Sequence, residues 1–568
     1  MARLPENESA FSSIQGVSMR EKVLESDVLC VGGGIAGLMA AIRASESGAK
    51  VVVAEKGNTL RSGAAATGND HFLCYIPEIH GADVKGLVRA MRETQLRNLI
   101  DYTDREIFET WLNKSLDMIH LWQSWGIPMK YGGKYEFAGH AFPGGPFFYL
   151  KYEGQNQKLI LTAEAKKRGV EIINRVMIFD LLAQNGQVFG ALGVGTRDEV
   201  LTQFRAKSVI LGTGTVSRLY PSLTPGWMFN ITRPGSVCGD GRAMAYRAGS
   251  ELVNVEMVGS HAGPKYFTRS GQATWVGVVK DASGKAVGPF LAKPDGKYSD
   301  IIIEVNKGLF DDYAKSGKGP VYMDCSGISE EDYQYMMHWM NHEGNSALIP
   351  YFDQEKIDLR KNPVEFATYG MRSSAGRIWQ DIRGETSIRG LYAAGDETAG
   401  VGIAEAAISG WIAGENAARQ GNKAIKKTRT FQPTVDRWKA FFKEIKNRPV
   451  GADWKEANIA LQQIMQDYAG RVRSETLLEA GSRLLTRLKQ KTYQSIIARN
   501  QHELMRCLEV LNLLDIGELV FETARERKET RGLHNRPDFP YTNPLMDQQL
   551  IVKKTASGPA MEWRKVKR

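Results

Sequence analysis

Gly32, Gly34 and Gly37 form a G-x-G-x-x-G pattern directly after the apolar run DVLCV, and Glu55 closes a second apolar run, VVVAE. Small residues at that spacing let the backbone approach a pyrophosphate. The helix N-terminus that follows offers amide donors, and an acidic side chain can accept ribose hydroxyls. With Ile35 and Ala36 inside the turn, the pattern reads as a dinucleotide site. The next stretch, EKGNTLRSGAAATG, places Lys56, Arg61, Ser62, Gly63 and Gly68 in a small-residue loop able to lie flat against an isoalloxazine. Asn69, Asp70 and His71 follow at once, where a polar triplet would stand near the reactive edge of such a ring. Asn and Asp there equally suit a turn or a cap.

The elements that must position these residues read as strand, glycine turn, amphipathic helix and strand, the opening of a parallel-sheet βαβ unit. Further strands are expected at Glu171–Val176, Val188–Val194 and Ser208–Leu211, alternating with helix as at Leu159–Arg168. From Glu251 to Tyr369 the chain is irregular and rich in Gly, Lys and Asp, which suggests an inserted substrate domain. GLYAAGD (Gly390–Asp396) and the helix after it return to the first domain. Beyond Gln432–Pro433 apolar residues recur at three- and four-residue spacing, as in ELMRCLEVLNLL, predicting helices. The expected spans are a polar leader over 1–22, a first domain over 23–250 and 370–430, an insertion over 251–369 and a helical region with a basic tail over 431–568.

With 568 residues, 42% hydrophobic and 24% charged, the chain is neither disordered nor fibrous. A net charge of +10 favours anionic ligands or an acidic partner. No nucleic-acid-binding signature accompanies it. The five cysteines, Cys30, Cys74, Cys238, Cys325 and Cys507, are far apart and include no C-x-x-C pair, so an iron-sulfur centre would sit on another chain. Sparse cysteines, no signal-peptide core and no long apolar run lead to the expectation of a soluble, cytoplasmic protein.

The sequence resembles the flavoprotein subunits of the fumarate reductase and succinate dehydrogenase superfamily, which includes L-aspartate oxidase and the adenylylsulfate reductase alpha subunit. The resemblance runs over most of the chain through GGGIAGLMAA, RSGAAATG, VILGTGTVSRLY, CGDGRAMAYRAGSELVNVEMV, GPVYMD, GLYAAGD, AEAAISGWIAGE and ETARERKETRGLHNRPDFP. It implies an α/β fold: a Rossmann-like FAD-binding domain, an inserted α+β capping domain and a C-terminal helical domain. It also implies that Gly212, Thr213, Gly214, Asp240 and Gly241 line the flavin site, together with Ile403 and Ala404. Gly395 and Asp396 are implied to meet the ribityl and pyrophosphate region, and the Val176 backbone the adenine end.

The departures are informative. Gly63 stands where the dicarboxylate enzymes carry a histidine bonded to the flavin, so the FAD is expected to be noncovalent; Arg-Ser-Gly-Ala and GPVYMD look like the adenylylsulfate reductase type. His261, in ELVNVEMVGSH, aligns with a substrate-binding histidine, and could bind an anion, pass a proton or only satisfy local backbone groups. The loop ETAGVGI lacks the family's substrate arginine, and the proton-delivery motif is reduced to Arg269. Thr368-Tyr369-Gly370-Met371-Arg372 replaces a second histidine. Tyr369 belongs to that altered pocket, and Arg372 could clamp an anion or serve as a structural ion pair. The adenylylsulfate reductase pocket is not reproduced either.

The expected activity is transfer of two electrons between FAD and a small anionic substrate, with His261 or His71 for proton transfer and Arg372 or Arg269 for charge. A separate ferredoxin-like iron-sulfur subunit is the implied electron partner, making a hetero-oligomer. A self-sufficient oxidase like L-aspartate oxidase, or a flavin relay with no substrate of its own, are the alternatives. Lys553, Lys554, Arg564, Lys565, Lys567 and Arg568 could dock an acidic partner or form a solvated end.

Overall fold

This computed structural model describes residues 19–92, 101–137, 147–222, 233–259, 262–264, 275–287, 313, 316–343, 348–368, 372–373, 376–398, 402–421 and 430–568. Strand β1 (Arg20–Val31), helix α1 (Ile35–Glu46) and β2 (Val51–Glu55) form the anticipated βαβ opening, with β1 and β2 parallel and Leu29 level with Val52. The last four residues of β1 and all of β2 are buried. Such all-apolar strands belong to a sheet covered on both faces. The charged first half of β1 has no strand pattern in its sequence, yet it pairs in register with Val200–Phe204 of β8 (Val200–Leu211).

Two further differences from the sequence expectation have simple causes. The run at Glu171–Val176 is split: Arg175 adopts φ 62°, so β5 (Glu171–Asn174) pairs parallel with β2 while β6 (Val176–Gln184) turns away. Strands β6, β7 (Gln187–Gly195) and β8 then run antiparallel, because their connections are too short for a parallel crossover. β17 (Leu391–Ala393) returns parallel beside β8.

Helices α2 (Arg105–Ser124) and α3 (Gln157–Lys167) precede β5, and the chain leaves the large sheet through α4 (Asp240–Arg247) and two short strand pairs. β9 (Leu252–Val253) pairs with β16 (Arg377–Ile378), and β10 (Val258–Gly259) with β15 (Arg372–Ser373), both antiparallel. Between these pairs lies a small sheet of β11 (Ala262–Pro264), β12 (Val278–Lys280), β13 (Val321–Asp324) and β14 (Val364–Thr368). With α5 (Glu330–His342) it encloses its own apolar cluster around Trp275, Val279, Met336 and Phe366. Two strands near the flavin loop, β3 (His71–Leu73) and β4 (Tyr149–Lys151), pair antiparallel. After β17 the first domain closes with α6 (Ile403–Gly421).

Helices α7 (Gln432–Asn447), α8 (Trp454–Tyr468), α9 (Glu475–Ser495) and α10 (Gln501–Glu526) follow. α10 is buried on nearly every side, the mark of a central helix. After Glu526 the chain, expected from its sequence to stay helical, instead ends in a hairpin of β18 (Gln549–Thr555) and β19 (Gly558–Arg564). Ile551 pairs with Val253, so this hairpin extends the β9 sheet. Part of the basic tail is therefore structural: Arg564 bonds Glu251 at 2.8 Å and Arg568 bonds Asp547 at 2.6 Å, while Lys553 and Lys554 are exposed. Among the described residues no helix is long and apolar enough to cross a membrane.

Candidate functional site

The glycine turn is built by close backbone packing. A Cβ on Gly32, at φ 94°, would stand 2.6 Å from the Gly212 carbonyl oxygen, and one on Gly37 would stand 1.8 Å from the Gly32 carbonyl oxygen. Gly34 differs: its nearest neighbour would be Gly212 O at 3.9 Å, so the space in front of it is open. Helix α1 begins there without a side-chain cap and without an acidic residue in its first turn. Its first amide donors face that space, and an anion there would meet the positive end of the helix. Ile35 and Ala36 are buried behind it.

Glu55 accepts from the amides of Gly33 and Gly57, each at 2.6 Å, which fixes the acidic group at the mouth of the turn. Val176 begins β6 close by, since Arg175 N bonds Gly57 O at 3.0 Å. Sequence reasoning missed Lys158 on α3. Its ammonium is buried, donates to the Gly33 carbonyl, and is pushed down to about 8 by burial, with Glu55 opposing. No motif marks a lysine in a helix, and only the packing of α3 on the turn reveals it.

The loop from Arg61 to Gly68 is held loosely by its own polar groups. Arg61 is exposed and reaches the Ala66 and Gln155 carbonyls only at 3.5 Å. The buried hydroxyls of Thr59, Ser62 and Thr67 have no hydrogen-bond partner among the described residues. Gly63 (φ 82°) lies against Gly34, and Gly68 (φ 128°) admits the His342 carbonyl, 2.2 Å from where a Cβ would be. An FAD fits these features: open backbone at Gly34, a ribose acceptor at Glu55, and a small-residue loop with unsatisfied hydroxyls.

Lys56 and Asp240, both expected at the cofactor, bond each other at 2.6 Å and are tied into a buried network. Lys56 and Arg218 each reach Glu509 of α10 at 2.8 Å, as does Arg506, and Asn512 donates to Asp240. The surrounding cations hold Glu509 down to about 2 against the opposing effect of burial. This network fastens the first domain to α10.

On the opposite side, Gly212 N bonds Val31 O at 2.9 Å, Gly214 takes φ 86° and Gly395 φ 67°. Thr213 bridges the amide of Gly241 and the carboxyl of Glu397, while Arg242 holds Glu397 and the Asp396 carbonyl. Burial raises Glu397 to about 7. Glu405, two residues into α6 beyond Ile403 and next to buried Ala404, is 2% exposed, and neither carboxylate oxygen has a partner among the described residues. Burial, with Asp396 adding in the same direction, raises it to about 7. A carboxyl raised from 4.5 binds protons more tightly folded than unfolded, so stability is full below pH 4.5 and falls as pH rises through 7. Thermal melts from pH 5 to 8 are expected to show that fall, and Glu405→Gln to flatten it by about 1.4 kcal/mol per unit of pKa shift. A variant with the wild-type slope would contradict this.

Asp70 and His71 end the loop. Asn69 Oδ1 accepts from His71 N at 3.0 Å, and Asn69 O accepts from Gly154 N at 3.1 Å, which fixes the turn. His71 Nδ1 lies 2.8 Å from Asp70 Oδ1, and the buried Lys151 ammonium donates to the other Asp70 oxygen. Lys151 and His71 hold Asp70 well below the usual carboxylate range although burial opposes them. An ionised Asp70 makes Nδ1 the donor, so any proton exchanged by this imidazole is exchanged at Nε2. The ring stands edge-on to Tyr149 at 5.4 Å and keeps a fifth of its surface exposed. His261, Arg269 and Tyr369 lie outside the described residues, and Arg372 is placed only through its backbone, paired with Gly259.

The FAD binding domain family matches residues 27–409, and the fumarate reductase flavoprotein C-term family matches 458–568. The chain is similar to a fumarate reductase (CoM/CoB) chain of Methanothermobacter marburgensis, with 25% identity over 94% of this chain and 98% of the relative. It is 26% identical to the L-aspartate oxidase of Yersinia pestis over 69% of this chain and 76% of that one. Among solved structures, adenylylsulfate reductase from Archaeoglobus fulgidus superposes with a TM-score of 0.83 at 22% identity, over 96% of both chains. A chain of a mutant E. coli quinol fumarate reductase gives 0.79 at 19%, over 96% and 97%.

Proposed function

The chain belongs to the FAD binding domain family, as an FAD-dependent oxidoreductase of the fumarate reductase and succinate dehydrogenase type, and from that premise we propose that it exchanges two electrons with a small anionic substrate and passes them to or from a separate iron-sulfur subunit. The observation that carries this reading is the Asp70–His71 pair directly after the flavin loop, oriented by buried Lys151. FAD, when bound, supplies hydride transfer. Gly32, Gly34, Gly37 and the N-terminus of α1 hold its pyrophosphate, Glu55 its ribose, and the Arg61–Gly68 loop its ring, without a covalent bond because Gly63 offers no nucleophile. His71 gives or takes the proton that accompanies the hydride at its Nε2, with Asp70 stabilising the imidazolium. His261, Arg269, Tyr369 and Arg372 provide the anion contacts. The five buried cysteines leave an iron-sulfur centre to the partner, and a cytoplasmic location suits their reduced state.

The test is anaerobic. Photoreduced holoprotein is mixed with fumarate or adenylylsulfate, and the visible flavin band is followed. Reoxidation by one of these small anions is expected, with second-order dependence on its concentration. If none reoxidises the flavin while a co-purified iron-sulfur protein does, the protein is a relay and the substrate assignment fails.

A further inference from the structure

Glu153 sits just after β4, and His338 and His342 lie one turn apart in the last turns of α5. Together they bring a carboxylate oxygen and two imidazole nitrogens within 4.8 Å of one another. His338 Nε2 is 3.6 Å from Glu153 Oε1, and the two rings are 4.7 Å apart between centroids. His338 Nε2 and His342 Nδ1 are closed to solvent and have no hydrogen-bond partner among the described residues. A histidine pair with a carboxylate that leaves ring nitrogens unpartnered inside the protein calls for a ligand that accepts lone pairs. The nearest other charges acting on His338, Lys151 and Asp70, are paired with each other, so Glu153 supplies the uncompensated negative charge. The C-terminal end of α5 adds the partial negative charge of the helix dipole.

We propose that Glu153, His338 and His342 form a binding site for a divalent zinc-type cation. Two neutral imidazoles at i and i+4 with one carboxylate are borderline ligands suited to Zn2+, with Zn–N distances of about 2.0–2.1 Å and a fourth position for water. Closing from the present separations needs side-chain rotation only, since the histidines share one helix face. The ion ties α5, which belongs to the inserted segment, to the strand beside the flavin loop. The His342 carbonyl already packs on Gly68, so the bound cation holds this helix end against that loop.

The site is read without substrate or turnover, so its test is independent of the proposed redox reaction. Chelator-treated holoprotein is incubated with Zn2+, desalted, and its zinc-to-flavin ratio measured by mass spectrometry, with affinity from calorimetry. The expected result is one zinc per flavin in the wild type and in His71→Asn. His338→Ala and His342→Ala are each expected to weaken binding by about 100-fold. Flavin content reports whether each variant is folded. Should either histidine variant lose flavin, the partly exposed Glu153→Gln replaces it, with a weaker but clear loss of affinity. Absence of stoichiometric zinc in the wild type, unchanged binding in the Glu153 and histidine variants, or loss of zinc in His71→Asn would each overturn the assignment.

Discussion

Gly34→Ala is expected to give a folded but nearly colourless protein, and Gly37→Ala an unstable one. At Gly34 the added methyl meets nothing closer than Gly212 O at 3.9 Å, and the residue has φ −69°, so the apoprotein has no reason to rearrange. The same methyl occupies the space a pyrophosphate needs, so flavin affinity should fall by at least about 100-fold, or about 2.8 kcal/mol. At Gly37 the methyl is driven to 1.8 Å from the Gly32 carbonyl, and both partners are backbone. Helix α1 must then retreat from β1, an overpacking that costs about 3 kcal/mol or more. The ratio of flavin to protein absorbance and the urea midpoint of the apoprotein separate the two. A Gly34→Ala protein with normal flavin content would remove the pyrophosphate from this turn.

Asp70→Asn should be the most damaging single change near the flavin loop. It removes one charge of an ion pair whose two side chains are both fully buried, and breaking such a pair costs about 3–5 kcal/mol. The pH dependence has a definite sign. Asp70 titrates below its ordinary value in the folded state, so its contribution is complete above about pH 4 and is lost as pH falls toward the lowered folded value. Acid unfolding of the variant should therefore be shallower than that of the wild type in this range. The double variant Asp70→Asn/Lys151→Met, which removes both charges, should recover most of the stability, measured by urea unfolding. It should not recover activity, because His71 loses the group that holds its Nδ1 proton, and kcat should stay about 10²–10³ lower. A loss under about 1 kcal/mol for Asp70→Asn would mean that Lys151 does not depend on it.

These variants show which parts of the protein were readable in advance. The G-x-G-x-x-G turn, Glu55 and the small-residue loop could be read from sequence because their chemistry is local. Gly37 is required by a contact with the Gly32 carbonyl inside the βαβ unit, Gly34 leaves the space in front of α1 open, and Glu55 reaches the Gly33 amide at the end of the same unit. The same holds for the FAD dependence and the helical character of 432–526, which follow from motif and period. His338 and His342 become a candidate site only where the fold brings Glu153 to them.

Tertiary structure alone decided the rest. The charged half of β1 reads as loop, and it is a strand because β8 offers it a full ladder of partners. Lys56 and Asp240 read locally as cofactor ligands, and only the fold shows that they are also tied to Glu509, far along the chain. Lys158 and Lys151 carry no local signal, and each matters because the fold buries it against a distant acceptor, the Gly33 carbonyl for one and Asp70 for the other. The left-handed φ that calls for a glycine is a local property, which a short motif encodes. The role of a buried charge is set by whichever residue the fold brings within about 3 Å of it, and no sequence period records that distance.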